Sequence, residues 1–208
     1  MTISIINYGC GNIGSIVNML KHICVEAEVI SEAKQINKAS KIILPGVGKW
    51  DSGVQHLRES GILGALEQRV LSDRIPILGI CLGMQLLFTK SAESIDQNVH
   101  GLNLIQGKVI KLKIDKKNNI FVPHVGWNSV YKNNQGENDF WKIENEDDTF
   151  YFANSYIVEP INSKIIKYFF NHGRDYPAII QDKNIFATQF HPEKSQNGMK
   201  ILKRFCEL

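Results

Sequence analysis

Short apolar runs alternate with amphipathic stretches through the first half of the chain. Ile3–Asn7, Ala27–Ile30, Lys41–Leu44 and Pro76–Ile80 are dominated by β-branched and other apolar side chains, whereas Gly14–Ile23 and Asp51–Glu59 carry helical spacing. This β-α-β-α order predicts parallel strands joined by right-handed crossovers. Helices then cover both faces of the sheet, which is why these strands lack polar alternation.

After about Leu104 the texture changes. Strand-like pieces at close spacing, Lys108–Lys113, Ile120–Val122, Trp127–Tyr131, Phe150–Ala153, Ala178–Gln181 and Ile185–Phe190, predict antiparallel hairpins, with Asn118-Asn119 as one turn. Residues 133–148 are polar and predict a surface excursion tacked down by Phe140 and Trp141, and Met199–Phe205 reads as a closing helix. No internal repeat, linker or low-complexity tract interrupts the pattern. The expectation is one α/β domain over residues 1–208, with a mostly parallel central sheet, flanking helices, and antiparallel hairpins in the C-terminal half.

Composition removes several classes. The 208 residues carry 24 Lys+Arg against 21 Asp+Glu, a net charge of +3, with 43% hydrophobic and 22% charged content. Such a chain is neither disordered nor collagen-like, and its charge gives no reason to expect nucleic acid. The longest apolar stretch, Ile75–Phe88, is fourteen residues long and broken by Pro, Gly and Gln, too short to span a bilayer. The opening MTISIINYG has no basic region and no cleavage site of a secretory signal, so the expected location is the cytoplasm, with no membrane partner. The four cysteines, Cys10, Cys24, Cys81 and Cys206, form no C-x-x-C pair. That disfavours a disulfide framework and a metal site, and three of them are expected to be inert packing residues.

Four motifs carry candidate chemistry. Gly9, Gly11 and Gly14 spell G-x-G-x-x-G between a strand and a helix, with Glu32 18 residues beyond Gly14, which is the spacing of a dinucleotide site. The alternative is a tight strand-to-helix turn without a cofactor. Gly79-Ile80-Cys81-Leu82-Gly83, between the strand Pro76–Ile80 and the apolar helix Met84–Phe88, has the G-x-nucleophile-x-G form of an elbow. Small residues are needed on either side because the nucleophile is held on a strained bend, and a helix N-terminus there favours a thiolate. Gln189-Phe190-His191-Pro192-Glu193 follows a late strand and places His191 and Glu193 at i and i+2, on one side of extended backbone, as a base and its orienter. Leu44-Pro45-Gly46-Val47-Gly48 ends the third strand, where the bend could aim a backbone N–H at an oxyanion, with the Leu82 N–H as second donor.

These pieces in this order, PGVG, GICLGMQLL and QFHPEKS, resemble the triad (class I) glutamine amidotransferases over essentially the whole chain. With NYGCGNIGS, PHVGWNSV and YFANSYIVEP, the set is similar to the branch that feeds ammonia to the cyclase of imidazole glycerol phosphate synthase. The resemblance implies a flavodoxin-like fold, no cofactor, and a Cys81 nucleophile attacking the side-chain amide of L-glutamine. His191 would act as acid and base, Glu193 would orient it, and the Gly48 and Leu82 amides would hold the oxyanion. Gln85, Ser155 and Tyr156 would hold the amino-acid end of glutamine. It further implies a heterodimer with a (β/α)₈ cyclase in histidine biosynthesis, with Asn12 and Trp127 on the shared face and the N-terminal glycines in a turn beside it.

Two departures bear on the acceptor. Lys49-Trp50 stands where the family commonly has Ala-Phe, and Ala153-Asn154-Ser155-Tyr156 where it often has Val-His-Ser-Tyr. They keep open a paralogue that supplies ammonia to sugar-modifying enzymes of surface-polysaccharide or nonulosonic-acid synthesis. A stand-alone cysteine hydrolase or deglycase, and a dinucleotide-binding module, are the remaining alternatives.

Overall fold

The computed structural model describes residues 2–96, 98–133, 140–143, 145 and 148–208. Its strands in chain order are β1 (Ile3–Ile6), β2 (Ala27–Ile30), β3 (Ile42–Leu44), β4 (Ile77–Ile80), β5 (Lys90–Ser91), β6 (Gly107–Lys111), β7 (His124–Ser129), β8 (Tyr131–Lys132), β9 (Thr149–Asn154), β10 (Tyr156–Pro160), β11 (Ile166–Asn171), β12 (Asp175–Asp182) and β13 (Ile185–Thr188). The helices are α1 (Ile13–His22), α2 (Ala33–Ile36), α3 (Trp50–Glu59), α4 (Leu63–Glu67), α5 (Leu82–Leu86) and α6 (Gln196–Cys206).

An eight-stranded sheet of order β2-β1-β3-β4-β13-β12-β11-β8 forms the centre. From β2 to β13 every pairing is parallel, whereas β12, β11 and β8 extend the sheet antiparallel. The first five positions have the 2-1-3-4-5 order of doubly wound α/β folds. Alternation across the parallel strands explains their uniform apolarity. Ile42, Leu44, Ile77 and Ala187 face one core with α3, α4 and α5, while Ile43, Leu78, Ile80 and Phe186 face a second with α1 and α6. Full burial of a Leu or Ile side chain contributes roughly 1.5–3 kcal/mol, so each strand is fixed in register from both sides.

The antiparallel half departs from expectation in places. Ile120–Val122 forms no strand; Ile120 makes one antiparallel bridge to Asp115 around a tight turn whose Asn119 is left-handed (φ 58°). Conversely, β11 was not expected, and it supplies the register for both β12 and β8. The expected strand Trp127–Tyr131 is divided into β7 and β8, which pair with different neighbours. Phe140 and Trp141 do pin the polar excursion, Trp141 being buried edge-on against Phe186, although residues 134–139, 144, 146 and 147 of that stretch lie outside the described ones. The closing helix, Gln196–Cys206, is longer than expected and is capped by Ser195, whose hydroxyl accepts the Gly198 N–H at 2.9 Å. Among the described residues no helix is long and apolar enough to cross a membrane.

Candidate active site

Cys81 follows β4 directly and precedes α5 with φ 55° and ψ −111°, a conformation that costs a non-glycine residue about 1–3 kcal/mol. The bend is held from both sides. The Cys81 N–H donates to the Thr188 carbonyl (2.8 Å), and Gly83 packs so closely under the PGVG bend that a Cβ would lie 1.9 Å from the Leu44 oxygen. A Cβ on Gly46 would meet the Gly83 nitrogen at 2.5 Å, so the two glycines permit one shared approach of backbone to backbone.

His191 arrives from the neighbouring chain segment. The strand β13 ends at Thr188, earlier than expected, and the Pro192–Lys194 segment is a 3₁₀ turn rather than extended chain. That turn, and not strand alternation, brings Glu193 back to His191. The His191 Nδ1 to Glu193 Oε1 distance is 2.9 Å, with both side chains buried. The His191 N–H donates to the Tyr151 carbonyl at 2.9 Å, tying the base to β9. Burial opposes the imidazolium, but hydrogen bonds to Cys81 and Glu193 and their negative charge outweigh it, pushing His191 up to about 10. That balance favours the imidazolium form beside the sulfur.

One open cleft of about 410 Å³ collects Gly48, Cys81, Leu82, Gln85, Ser155, Tyr156 and His191, with Val47, Glu93, Pro123, Val125, Ala153 and Asn154. Its volume suits a small polar ligand. Glu193 sits behind His191, out of the cleft. The Leu82 N–H is occupied, donating to the Gly46 carbonyl at 3.3 Å, and the Val47 N–H donates to the Cys10 carbonyl at 3.4 Å. Gln85 is buried and donates through Nε2 to the Tyr156 carbonyl (3.0 Å) and Gln189 Oε1 (3.2 Å), leaving its own Oε1 as the acceptor.

Three contributors have no role in the sequence motifs. Glu93 lines the cleft with its carboxylate anchored on the Trp50 N–H at 2.9 Å. Gln189 is fully buried and donates to Cys81 Sγ at 3.6 Å. Tyr8 donates its hydroxyl to the Pro45 carbonyl at 2.8 Å, and burial, with the nearby charges of Cys10 and Cys81, raises the phenol well above its ordinary value. Nothing local in the sequence marks these residues, because their partners are distant in the chain.

Outside the cleft, Asn12 is exposed at the start of α1, and Trp127 is 56% exposed on β7, edge-on to Tyr151. Trp127 is thus no core residue. Trp50, by contrast, is fully buried, Lys49 is exposed, and Asn154 donates to the Tyr156 carbonyl at 3.0 Å. Two of the three glycines of the N-terminal fingerprint, Gly9 and Gly11, face protein side chains. A Cβ on Gly11 would meet the Pro45 ring at 3.0 Å, and Glu32 caps α2 through Gln35 and pairs with Lys34. Cys10 lies 2.9 Å from His56 Nδ1, Cys24 is exposed and Cys206 partly buried. Among the described residues no cluster of three or more His, Cys, Asp or Glu side chains could hold a metal ion.

The family model for class-I glutamine amidotransferase matches residues 4–207. The chain belongs to this family. An amidotransferase relative from Methanococcus maripaludis, named imidazole glycerol phosphate synthase subunit HisH 2, is 41% identical over 99% of this chain and 98% of its own. One of the same name from Pseudomonas aeruginosa is 37% identical over 99% of both chains. The solved structure of PurLQS from Thermotoga maritima superposes with a TM-score of 0.74 at 17% identity, covering 99% of this chain and 97% of that one, a likeness of fold. As an amidotransferase the chain is an enzyme, and its family membership removes the dinucleotide module as its function.

Proposed function

We propose that this chain is the glutaminase subunit of imidazole glycerol phosphate synthase, releasing ammonia from L-glutamine for a cyclase partner in histidine biosynthesis. The observation that carries the reading is that Cys81 and His191 line one cleft, with Glu193 hydrogen-bonded to His191 Nδ1 from behind at 2.9 Å. The relatives' names supply the acceptor.

The Cys81 thiolate attacks the amide carbon of glutamine, and the S–C bond forms as the carbonyl electrons move to oxygen. Collapse of this intermediate breaks the C–N bond, His191 gives its proton to the departing ammonia, and a thioester remains. Neutral His191 then takes a proton from water, hydroxide adds to the thioester, and thiolate leaves as glutamate is freed, its carboxyl proton passing to solvent. General acid–base help of this kind contributes roughly 10²- to 10⁴-fold. Glu93 and Gln85 Oε1 accept from the α-ammonium of glutamine, and Ser155 and Tyr156 close the other side of the amino-acid end.

For the oxyanion, the Leu82 N–H must exchange the Gly46 carbonyl for substrate, and Gly48 supplies the second donor. A single such donor contributes about 10²- to 10³-fold, so a subunit with Leu82 engaged internally is a poor glutaminase until its partner docks. The exposed apolar face of Val125 and Trp127 beside the cleft, with Asn12, forms the docking surface of a heterodimer. The chain acts there as one amidotransferase domain, in the cytoplasm.

The test pairs Cys81→Ala with the cyclase. Glutamine-dependent synthesis is lost while synthesis from added ammonia persists; parental glutamine hydrolysis by the variant refutes the reading. A cyclase that gains no activity from the wild-type chain refutes the acceptor alone.

A further inference from the structure

We propose that the Gln189 carboxamide is a fixed hydrogen-bond donor to the Cys81 thiolate, its polarity set by a buried amide relay that starts at the Tyr156 carbonyl. The inference rests on Cys81 being the nucleophile and adds to it a group that never touches glutamine.

The polarity follows from one obligate acceptor. A backbone carbonyl cannot donate, so Gln85 must present its NH₂ to the Tyr156 oxygen at 3.0 Å. The same Nε2 reaches Gln189 at 3.2 Å, which requires the Gln189 oxygen on that side. The Gln189 Nε2 is thereby turned to Cys81 Sγ at 3.6 Å. Gln189 is 0% exposed, so water cannot substitute for the missing partner if the amide turns over.

A thiol sulfur is a weak acceptor, whereas a thiolate takes a charge-assisted hydrogen bond. The donor therefore favours the charged sulfur over the neutral one, alongside the imidazolium of His191. It acts twice in the cycle, first on the attacking thiolate and again on the sulfur expelled from the thioester. The other titratable groups around this sulfur are Glu193 behind His191, Tyr8 from the loop after β1, and Glu93 across the cleft, none of which supplies an N–H. Because Gln189 is absent from the cleft wall, its loss should reduce kcat and leave KM nearly unchanged.

The test is the pH profile of Cys81 alkylation by iodoacetamide in the full chain, read by mass spectrometry with exposed Cys24 as internal control. Gln189→Met should move the Cys81 profile about one unit alkaline, slowing labelling about tenfold on its acid limb. Its kcat for glutamine should fall about as far, with KM within about twofold. Gln189→Glu, which puts an acceptor against the sulfur, should be slower still. A parental alkylation profile in both variants, or a rise in KM with kcat intact, overturns the relay. If the variants fail to fold, the side-chain amide protons of Gln189 in the parent must shift in NMR spectra when Cys81 is alkylated; unmoved resonances overturn it equally. Protection of parental Cys81 by glutamine is scored separately. Its absence would refute the nucleophile, whereas protection with unshifted variants would refute the relay alone.

Discussion

The nucleophile and its base meet at one rim but are held by different physics. Cys81 belongs to the parallel half, where backbone sterics fix it: a left-handed residue, with Gly46 and Gly83 leaving no room for a Cβ between the PGVG bend and the elbow. His191 follows β13, the last of the parallel strands, where side chains and a single antiparallel main-chain bridge to Tyr151 place it, with a carboxylate behind the ring. Steric placement is rigid and fails as structure. Placement by hydrogen bonds is tunable and fails as chemistry.

That contrast breaks most sharply at Glu193. Glu193→Gln keeps the shape but removes the charge that orients and charges the imidazole, and glutamine hydrolysis should fall about 10³-fold, near 4 kcal/mol. Gly83→Ala is the converse. Its Cβ would overlap the Leu44 oxygen, and urea unfolding should register a loss of about 3 kcal/mol or a failure to fold, before any assay of activity.

Two buried histidines sharpen the same distinction through pH. His124, stacked on Phe170 with Nδ1 buried and without a partner among the described residues, is lowered to about 4 by burial and by the nearby charge of His172. The unfolded chain protonates it first, so the stability it contributes is present above about 6.5 and is lost as pH falls toward 4. His191 works in the opposite sense, with a contribution present below about 6.5 and lost as pH rises through about 10. Urea midpoints of His124→Phe should lose the acid-side slope and keep the alkaline one. The smallest effect belongs to Tyr8→Phe, which removes one hydrogen bond to Pro45 and should cost about 1 kcal/mol in urea.

The sequence exposed the steric half more completely than the hydrogen-bonded one. Glycines at Gly79 and Gly83 around a cysteine are legible because no other residue fits such a bend, and β2 was expected with its observed bounds. His191 and Glu193 were legible as a pair, although a 3₁₀ turn rather than strand alternation joins them. Gln189 stood inside the QFHPE motif with no role, because its partners Cys81 and Gln85 lie 108 and 104 residues away. Glu93, 43 residues from Trp50, was equally hidden. The strand β11 escaped because Lys167 interrupts its apolar run, and its pairing with β12 and β8 is invisible in the local pattern.

The most direct test of the central claim treats the wild-type chain with a diazoketone analogue of glutamine, with and without excess glutamine, and maps the adduct by mass spectrometry. One adduct on Cys81, suppressed by glutamine and absent in Cys81→Ala, is the predicted result. Modification of another residue, or a Cys81 adduct that glutamine does not suppress, would contradict the assignment of this cleft as the glutaminase site.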